Sequence, residues 1–168
     1  MRLFIAIRLD NKLLDALSRF QSDLKKLGVT GHFTPRENMH ITLAFIGEYN
    51  DPDAVLEAMD RVEFRPMEIR TEGIGWYGDL FWAGLAENPQ LLEYVKKLRH
   101  QLAESGIPFD RKKFSPHITL TRKYACPQGK KIAIPNLPGG SMIAREVSLM
   151  RSERGKNGMI YTEIGSVG

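Results

Sequence analysis

Two histidine–threonine pairs recur in the chain in the same local setting. His40-Ile41-Thr42-Leu43 is repeated as His117-Ile118-Thr119-Leu120. β-branched residues favour strands, and successive side chains of a strand point to opposite faces. Each copy therefore predicts an imidazole and a hydroxyl on one face and two buried aliphatic side chains on the other. Two such strands side by side would give one cleft two imidazoles to exchange protons and two hydroxyls to hold oxygens, which suits acid–base chemistry on a phosphate.

The repeat extends beyond the tetrapeptide. His117 lies 77 residues after His40, and at the same offset Leu3-Phe4-Ile5-Ala6 aligns with Leu80-Phe81-Trp82-Ala83. A helical apolar pattern and a glycine separate each Leu-Phe-x-Ala stretch from its His-Ile-Thr-Leu strand. A chance recurrence of one tetrapeptide is expected in roughly one chain in ten of this length. The shared order of elements instead favours a duplicated strand–helix–strand unit.

The helices and strands that position these residues can be predicted from the spacing of apolar residues and from the residues that begin or end each element. Helical spacing of apolar residues predicts helices that begin at Asp10, Asp51 and Asn88, and the last of them ends at Gly106. We expect strands over residues 2–9, 39–46, 67–73, 80–85, 116–123, 143–151 and 159–164. The last two strands should form a hairpin, whereas residues 29–39, with His32, and residues 124–140 are expected to be irregular.

Composition limits the class of protein. The chain has 168 residues, 42% of them apolar, which fits a single two-lobed domain over residues 1–168 with a packed core. A net charge of +4 mildly favours a polyanionic partner, although an ordinary basic surface explains it equally well. The lone Cys126 cannot form an internal disulfide, so we expect a cytoplasmic protein. No apolar run is long enough to span a membrane, and we expect no membrane partner.

Motifs for other chemistries are missing from the sequence. It has no metal-ligand spacing, no phosphate-binding glycine loop and no serine-hydrolase elbow, so we expect neither a metal nor a cofactor. Trp76 and Trp82 could stack on a base, but packing against the protein is the commoner fate of such residues. The basic residues 111–113, just before the second motif, fit either a solvated loop or a lip for phosphates.

The motifs and their flanks resemble a known family, the two-histidine phosphoesterase superfamily, and within it the RNA 2′,3′-cyclic phosphodiesterase branch, also called 2′-5′ RNA ligase. The resemblance covers nearly the whole chain. It rests on Leu3-Phe4-Ile5-Ala6, on Asn38-Met39-His40-Ile41-Thr42-Leu43-Ala44-Phe45-Ile46-Gly47, and on Phe114-Ser115-Pro116-His117-Ile118-Thr119-Leu120 followed by Arg122.

The resemblance implies a fold and a mechanism. The fold would be α+β and bilobal, with antiparallel sheets around a central cleft on a pseudo-twofold axis and helices outside. The reaction would be metal-free hydrolysis of an RNA 2′,3′-cyclic phosphate to a 2′-phosphate by a monomer. His40 would be the proton donor and His117 the acceptor, and Thr42 and Thr119 would bind phosphate oxygens. Arg122 matches a basic family residue, but strand alternation puts it on the face opposite His117 unless a bulge or a strand end re-aims it.

Three other functions fit the same residues. The reverse reaction, 2′-5′ joining of RNA ends, would use the same site. A non-catalytic RNA-binding module would need the basic surface without turnover. Hydrolysis of a small cyclic nucleotide would need a shorter anion site, whereas residues 111–113 with Lys130 and Lys131 favour a longer anion. Rates on a cyclic-phosphate RNA, on paired RNA ends and on a cyclic mononucleotide separate these functions.

Overall fold

The computed structural model describes residues 1–127 and 132–168. The helices are α1 (Asn11–Lys26), α2 (Pro52–Asp60) and α3 (Pro89–Glu104), and a 3₁₀ turn covers Arg36–Asn38. The strands are β1 (Arg2–Arg8), β2 (Thr30–Phe33), β3 (His40–Glu48), β4 (Met67–Tyr77), β5 (Leu80–Leu85), β6 (His117–Ala125), β7 (Ser141–Ala144), β8 (Val147–Gly155) and β9 (Gly158–Val167).

The helices begin where the sequence predicts. The side chains of Asp10, Asp51 and Asn88 each accept a hydrogen bond from the backbone N–H three residues later, which satisfies one of the free donors of the first turn. A proline at the first position of α2 and α3 adds a preformed helical φ angle without losing a hydrogen bond. Local chemistry therefore fixes these three helix starts.

The chain contains two equivalent strand–helix–strand units. In the first, β1 pairs antiparallel with β3 and α1 connects them; in the second, β5 pairs antiparallel with β6 and α3 connects them. The strands follow the order β7-β4-β5-β6-β3-β1-β8-β9, with β2 beside β6. The outer strands thus extend each unit on its far side. The predicted α+β fold built from a duplicated unit is confirmed.

Both units contribute to one hydrophobic core, which lies between the sheet and the helices. It contains the inward faces of α1 and α3 and the Ile and Leu residues of both motifs. Phe4, Ala6, Met150 and Tyr161 form a smaller apolar cluster, which is on the other face of the sheet. One face of the sheet therefore holds the core, while the opposite face is left for the cleft.

The two units meet where the motif strands meet. Within the described residues, the pairing between β3 and β6 is recorded at Ile41 and Ile118, and both side chains are fully buried. Beyond this point β3 continues along β1, and β6 continues along β5 and β2. The two motif strands therefore cross closely at one position and then diverge.

Two regions differ from the sequence prediction. Residues 29–39 contain the short strand β2, which pairs with β6 and includes His32, predicted to lie in a loop. The strand predicted over residues 143–151 is two strands, because β7 pairs with β4 whereas β8 pairs with β1 on the other side of the molecule.

Lys130 and Lys131 lie outside the described residues. Among the helices described, none has the length and apolar character needed to cross a membrane.

The junction between the units predicts a stability effect. Ile118→Ala should lower the free energy of unfolding by about 2–5 kcal/mol, because it leaves a cavity where the two units are joined. Urea denaturation measures this loss. Leu92→Ala is the control, because Leu92 is 46% exposed on α3 and its loss should cost no more than about 0.5 kcal/mol. Equal losses in the two variants would show that the junction is not a stability centre.

Candidate active site

Both motif strands have the predicted alternation of faces. In β3, His40 and Thr42 are half-buried on the cleft face, and the side chains between and after them are fully buried in the core. In β6, His117 and Thr119 repeat this pattern. The alternation follows from the pleat of the strand, since neighbouring side chains point to opposite faces.

The junction of the strands brings the two pairs together. Ile41 lies opposite Ile118 in an antiparallel register. This register brings His40 opposite Thr119 and Thr42 opposite His117, all on the face away from the core. Both histidine–threonine pairs therefore lie on the same face of the sheet, and both histidines face the same cleft.

The backbone and a neighbouring hydroxyl fix the imidazole of His40. Its Nδ1 lies 2.7 Å from the carbonyl oxygen of Asn38. Because a carbonyl only accepts hydrogen bonds, Nδ1 carries a proton and donates it. Nε2 lies 2.8 Å from Oγ1 of Thr42 and, in the neutral ring, accepts a hydrogen bond from this hydroxyl. The ring therefore turns Nε2 towards the threonine of its own motif.

The second imidazole is held in an equivalent way. Nδ1 of His117 lies 2.7 Å from the carbonyl oxygen of Ser115, which again precedes the histidine by two residues. The side chains of these preceding residues are tied to outer strands, since Asn38 donates to the Met159 carbonyl and the Ser115 hydroxyl is 2.7 Å from that of Tyr77. Both histidines thus have a proton on Nδ1 and present Nε2 to the cleft.

The surroundings lower the pKa of His40. Burial is the largest cause, because it disfavours the charged imidazolium. The positive charges of Arg122 and His117 act in the same direction, while the hydrogen bond to the Asn38 carbonyl opposes them. In the free protein, His40 therefore favours the neutral form at neutral pH.

Arg122 reaches the cleft through an irregularity in β6. Thr119 lies opposite Trp82 and Thr121 opposite Phe81, so two steps along β6 match one step along β5. The extra residue reverses the alternation, which turns Arg122 to the face of His117 instead of the core. The sequence predicts that a bulge or a strand end must re-aim Arg122, and this irregularity is a bulge. The positive charge of Arg122 contributes to lowering the pKa of His40, after burial of the imidazole as the largest cause.

Aromatic rings surround both histidines, and periodicity did not identify them as site residues. Phe4 and Tyr161 lie 5.0 and 5.4 Å from the ring of His40, measured between ring centroids. Tyr77 and Trp82 lie 5.4 and 6.4 Å from the ring of His117. Phe4 and Trp82 lie in the two copies of the repeat, and Trp82 was also a candidate for stacking on a base. Tyr77 and Tyr161 come from strands whose pairing the sequence does not reveal.

Polar groups next to His40 were also missed. Arg8 lies opposite His40 in the register of β1 with β3. Its Nη1 is 2.8 Å from Oε2 of Glu163, and the hydroxyl of Ser148 donates to the other oxygen of that carboxylate at 3.0 Å. The first motif therefore has a charged pair beside it, whereas Trp82 occupies the cross-strand position beside Thr119 of the second.

The basic residues 111–113 form an exposed loop before β6. The guanidinium of Arg111 lies over the ring of Phe109, 4.8 Å from its centroid.

The two histidines outside the motifs are both exposed. His32 is on β2 opposite Arg122, and His100 is on α3 beside Glu104. Across residues 1–127 and 132–168, His, Cys, Asp and Glu side chains do not gather in threes as a metal site requires.

A family model and curated relatives match this chain. The model described as LigT like Phosphoesterase matches residues 7–80 and 84–161. An RNA 2′,3′-cyclic phosphodiesterase of Methanothermobacter thermautotrophicus is 31% identical, over 98% of this chain and 96% of the relative. One of Methanocaldococcus jannaschii with the same name is 28% identical, over 98% of both chains.

Solved structures have the same fold. The apo form of E. coli LigT superposes with a TM-score of 0.84 and 25% identity, over 99% of this chain and 95% of that one. The same E. coli protein complexed with 3′-AMP superposes with a TM-score of 0.83, again at 25% identity, over 99% of this chain and 95% of that one. The similarity therefore covers both units and the cleft between them.

The charge of Arg122 predicts a change in the titration of His40. The pKa of His40 should lie below 6.5, and Arg122→Gln should raise it, because one positive charge that disfavours the imidazolium is removed. NMR titration of the imidazole signals measures both values. Arg111→Gln is the control, since it removes the same charge from the exposed loop. An unchanged His40 pKa in Arg122→Gln would contradict the electrostatic contact.

Proposed function

The chain belongs to the LigT-like phosphoesterase family, and from this membership we propose that it hydrolyses RNA 2′,3′-cyclic phosphate ends to 2′-phosphates. The observation that carries the proposal is the pair of imidazoles that face one cleft with Nδ1 bound to the backbone. Each Nε2 is then available to exchange a proton with the substrate. The names of the curated relatives support the substrate class.

The reaction needs one base and one acid. Water attacks the phosphorus while one imidazole takes its proton, and the bond from phosphorus to O3′ breaks while the other imidazole protonates O3′. The products are a 2′-phosphate and a 3′-hydroxyl. By family analogy we assign the acid role to His40 and the base role to His117. Both proton transfers then come from side chains of the protein, so the reaction should proceed in the presence of a chelator.

The lowered pKa of His40 makes its acid role depend on the substrate. A neutral His40 cannot donate from Nε2, but a phosphate anion in the cleft favours its imidazolium. When Nε2 gains a proton, it no longer accepts from the Thr42 hydroxyl, which lies 2.8 Å away. That hydroxyl is then free to donate to a phosphate oxygen. Substrate binding would therefore prepare the acid and the phosphate site in one step.

Thr42, Thr119 and Arg122 supply the groups that hold the phosphate in this proposal. The two hydroxyls would donate to the non-bridging oxygens, and these bonds strengthen as charge develops in the transition state. Arg122 would add a positive charge from the second unit. Its influence on His40 is consistent with a position close to the reacting phosphate.

An aromatic surface beside His117 fits the base of the terminal nucleotide. Trp82 is the cross-strand neighbour of Thr119. Its indole lies against Gly75 and Gly84, where a side chain on either glycine would collide with it or with nearby backbone. Tyr77 is 5.3 Å from the indole centroid and 48% exposed. Stacking on such a surface tolerates every base, which suits an enzyme that acts on RNA ends of varied sequence.

The alternatives predict different products. The reverse reaction would join RNA ends through a 2′-5′ bond at the same histidines. A binding module would bind RNA without turnover, and a small-nucleotide enzyme would prefer cyclic mononucleotides to oligonucleotides. We propose that the chain acts as a cytoplasmic monomer in which both lobes form one domain. The backbone carbonyls that hold Nδ1 of both histidines support catalysis over binding alone, because RNA binding by itself does not need oriented imidazoles.

The position of the phosphate on the terminal ribose of the product tests the proposed function directly. An oligonucleotide with a 2′,3′-cyclic phosphate should be converted to a 2′-phosphate end in buffer that contains a chelator. NMR of the phosphate and of the ribose protons can identify whether the product has its phosphate on the 2′ or the 3′ oxygen. A 3′-phosphate product would show that the leaving oxygen is assigned incorrectly. Joining of paired ends at a higher rate would favour ligation.

The two histidines should act in one step. His40→Ala and His117→Ala should each lower kcat on the order of a hundredfold or more, and the double variant should be little worse than the poorer single one. The rate should follow a bell against pH. The alkaline limb of kcat should lie at higher pH than that of kcat/KM, because bound phosphate restores the proton that burial disfavours in free His40.

Circular dichroism and thermal melts must show that both histidine variants remain folded. His100→Ala is the matched control, because this histidine is exposed on α3 and should leave the kinetics unchanged. Losses that simply multiply in the double variant would contradict a shared step. Coincident alkaline limbs for kcat and kcat/KM would contradict the role of the substrate in charging His40.

The aromatic surface predicts a base-dependent effect. Trp82→Leu should raise KM for a cyclic nucleotide on the order of tenfold, because stacking contributes about 1–3 kcal/mol per base. KM for ribose 2′,3′-cyclic phosphate, which has no base, should change little. Trp76→Leu is the control, since Trp76 is 44% exposed on the neighbouring strand. Equal effects on both substrates would mean that Trp82 only supports the strand.

A further inference from the structure

Two helix side chains bind the backbone of the motif strands just beyond the threonines. Nε2 of Gln21, on α1, donates to the Leu120 carbonyl at 2.9 Å and to the Thr34 carbonyl at 2.9 Å. The guanidinium of Arg99, on α3, donates to the Leu43 carbonyl through Nε at 3.2 Å and Nη2 at 3.0 Å. Its Nη1 donates to the Lys112 carbonyl at 2.7 Å.

The two sets of contacts are equivalent under the duplication. Leu120 follows Leu43 by 77 residues, the same interval as between the two histidines. Each donor sits on the helix of one unit and binds the motif strand of the other unit. Its second acceptor is in the loop that leads to the motif of its own unit. Gln21 and Arg99 therefore make crossed connections between the two halves of the cleft.

Backbone chemistry explains why these connections are needed. Leu43 and Leu120 are fully buried, and a buried carbonyl without a donor is costly. The recorded pairing of β3 with β6 is at Ile41 and Ile118, so beyond it the diverging strands no longer offer each other donors. The Leu120 carbonyl also accepts from the Thr34 N–H at 2.9 Å. Arg99 thus donates to the Leu43 carbonyl, and Gln21 adds a second donor to a Leu120 carbonyl that also accepts from the Thr34 backbone.

We propose that Gln21 and Arg99 are positioning residues that set the separation of the two histidines. The inference rests on the proposed function, because the separation matters for a phosphate that both imidazoles must reach. Each connection fixes a carbonyl one residue after a threonine of the site and, in the same side chain, the loop before a histidine. Loss of either connection would let one motif shift relative to the other while every reacting group remains present.

The physical consequence is a loss of rate with little loss of binding. A displacement of about 1 Å from the reactive geometry can cost on the order of a hundredfold in rate. Substrate contacts within one lobe are less affected by a shift between the lobes. We therefore expect kcat to fall and KM to stay within about threefold. The pH profile should keep both limbs, since both histidines still titrate.

The variants remove the connections with little change in size. Arg99→Met and Gln21→Met take away the donors and keep a long side chain. Arg99→Gln gives the second unit the donor that the first unit uses. The matched controls are Asn88→Ala and Asp10→Ala, which remove the caps of the same two helices. These controls lower helix stability but leave the crossed connections in place.

The expected result separates positioning from stability. Assayed well below their melting temperatures, Arg99→Met and Gln21→Met should lose on the order of tenfold to a hundredfold in kcat. Arg99→Gln should recover part of the loss, and the cap variants should keep kcat within about twofold at similarly lowered melting temperatures. The inference is overturned if Arg99→Met and Gln21→Met keep wild-type kcat, or if the cap variants lose as much.

A second measurement does not depend on turnover. Inorganic phosphate is titrated into the protein while the imidazole NMR signals of His40 and His117 are followed. In the wild type both signals should follow one binding curve, because one anion contacts both lobes. In Arg99→Met the two curves should separate, while both midpoints stay within about threefold of the wild-type value. A wild type that hydrolyses no cyclic phosphate would refute the proposed function, whereas an unchanged shared curve in Arg99→Met would refute the positioning role.

Discussion

Backbone hydrogen bonding at the junction of β3 and β6 constrains the rest of the structure. The two motif strands must approach closely to bring their histidines to one cleft, and they must diverge to leave room for a substrate. Ile41 and Ile118 make the approach. Beyond this point the buried carbonyls of Leu43 and Leu120 accept from the side chains of Arg99 and Gln21, and Leu120 also accepts from the Thr34 backbone. The shape of the cleft and the placement of the helices thus depend on one requirement.

The duplication gives the cleft two similar halves, but their surroundings differ. Across from Thr42 lies the small Ala6, and Arg8 lies across from His40 with Glu163 bound to it. Across from Thr119 lies the large indole of Trp82. One half therefore offers a charged border and the other an aromatic surface. A nucleotide has a matching asymmetry, because its base and its chain continuation leave the terminal ribose from different atoms.

Most of the geometry of the candidate site could be predicted from the sequence, because it depends on local rules of strand structure. Strand alternation predicted which face would carry His40 and Thr42, and the same rule required a bulge before Arg122, which the register of β5 and β6 contains. Features of the site and fold that depend on pairing between strands distant in the sequence could not be predicted. Tyr77 and Tyr161 approach the histidines through such pairings. The separation of β7 from β8 has the same origin, since each strand pairs in a different half.

The identical motifs can carry opposite roles because the backbone fixes what they share. In both, a carbonyl two residues before the histidine binds Nδ1 at 2.7 Å, so the tautomer does not depend on any side chain that could differ between the halves. The difference between acid and base must then come from the neighbours of each ring. Burial, Arg122 and the Thr42 hydroxyl act on His40. The ring of His117 instead makes a T-shaped contact with Tyr77, and its hydrogen bond to the backbone is more exposed than that of His40. The duplicated fold thus supplies two equivalent groups, and the unequal strands around them supply an asymmetry that the proposed acid and base roles need.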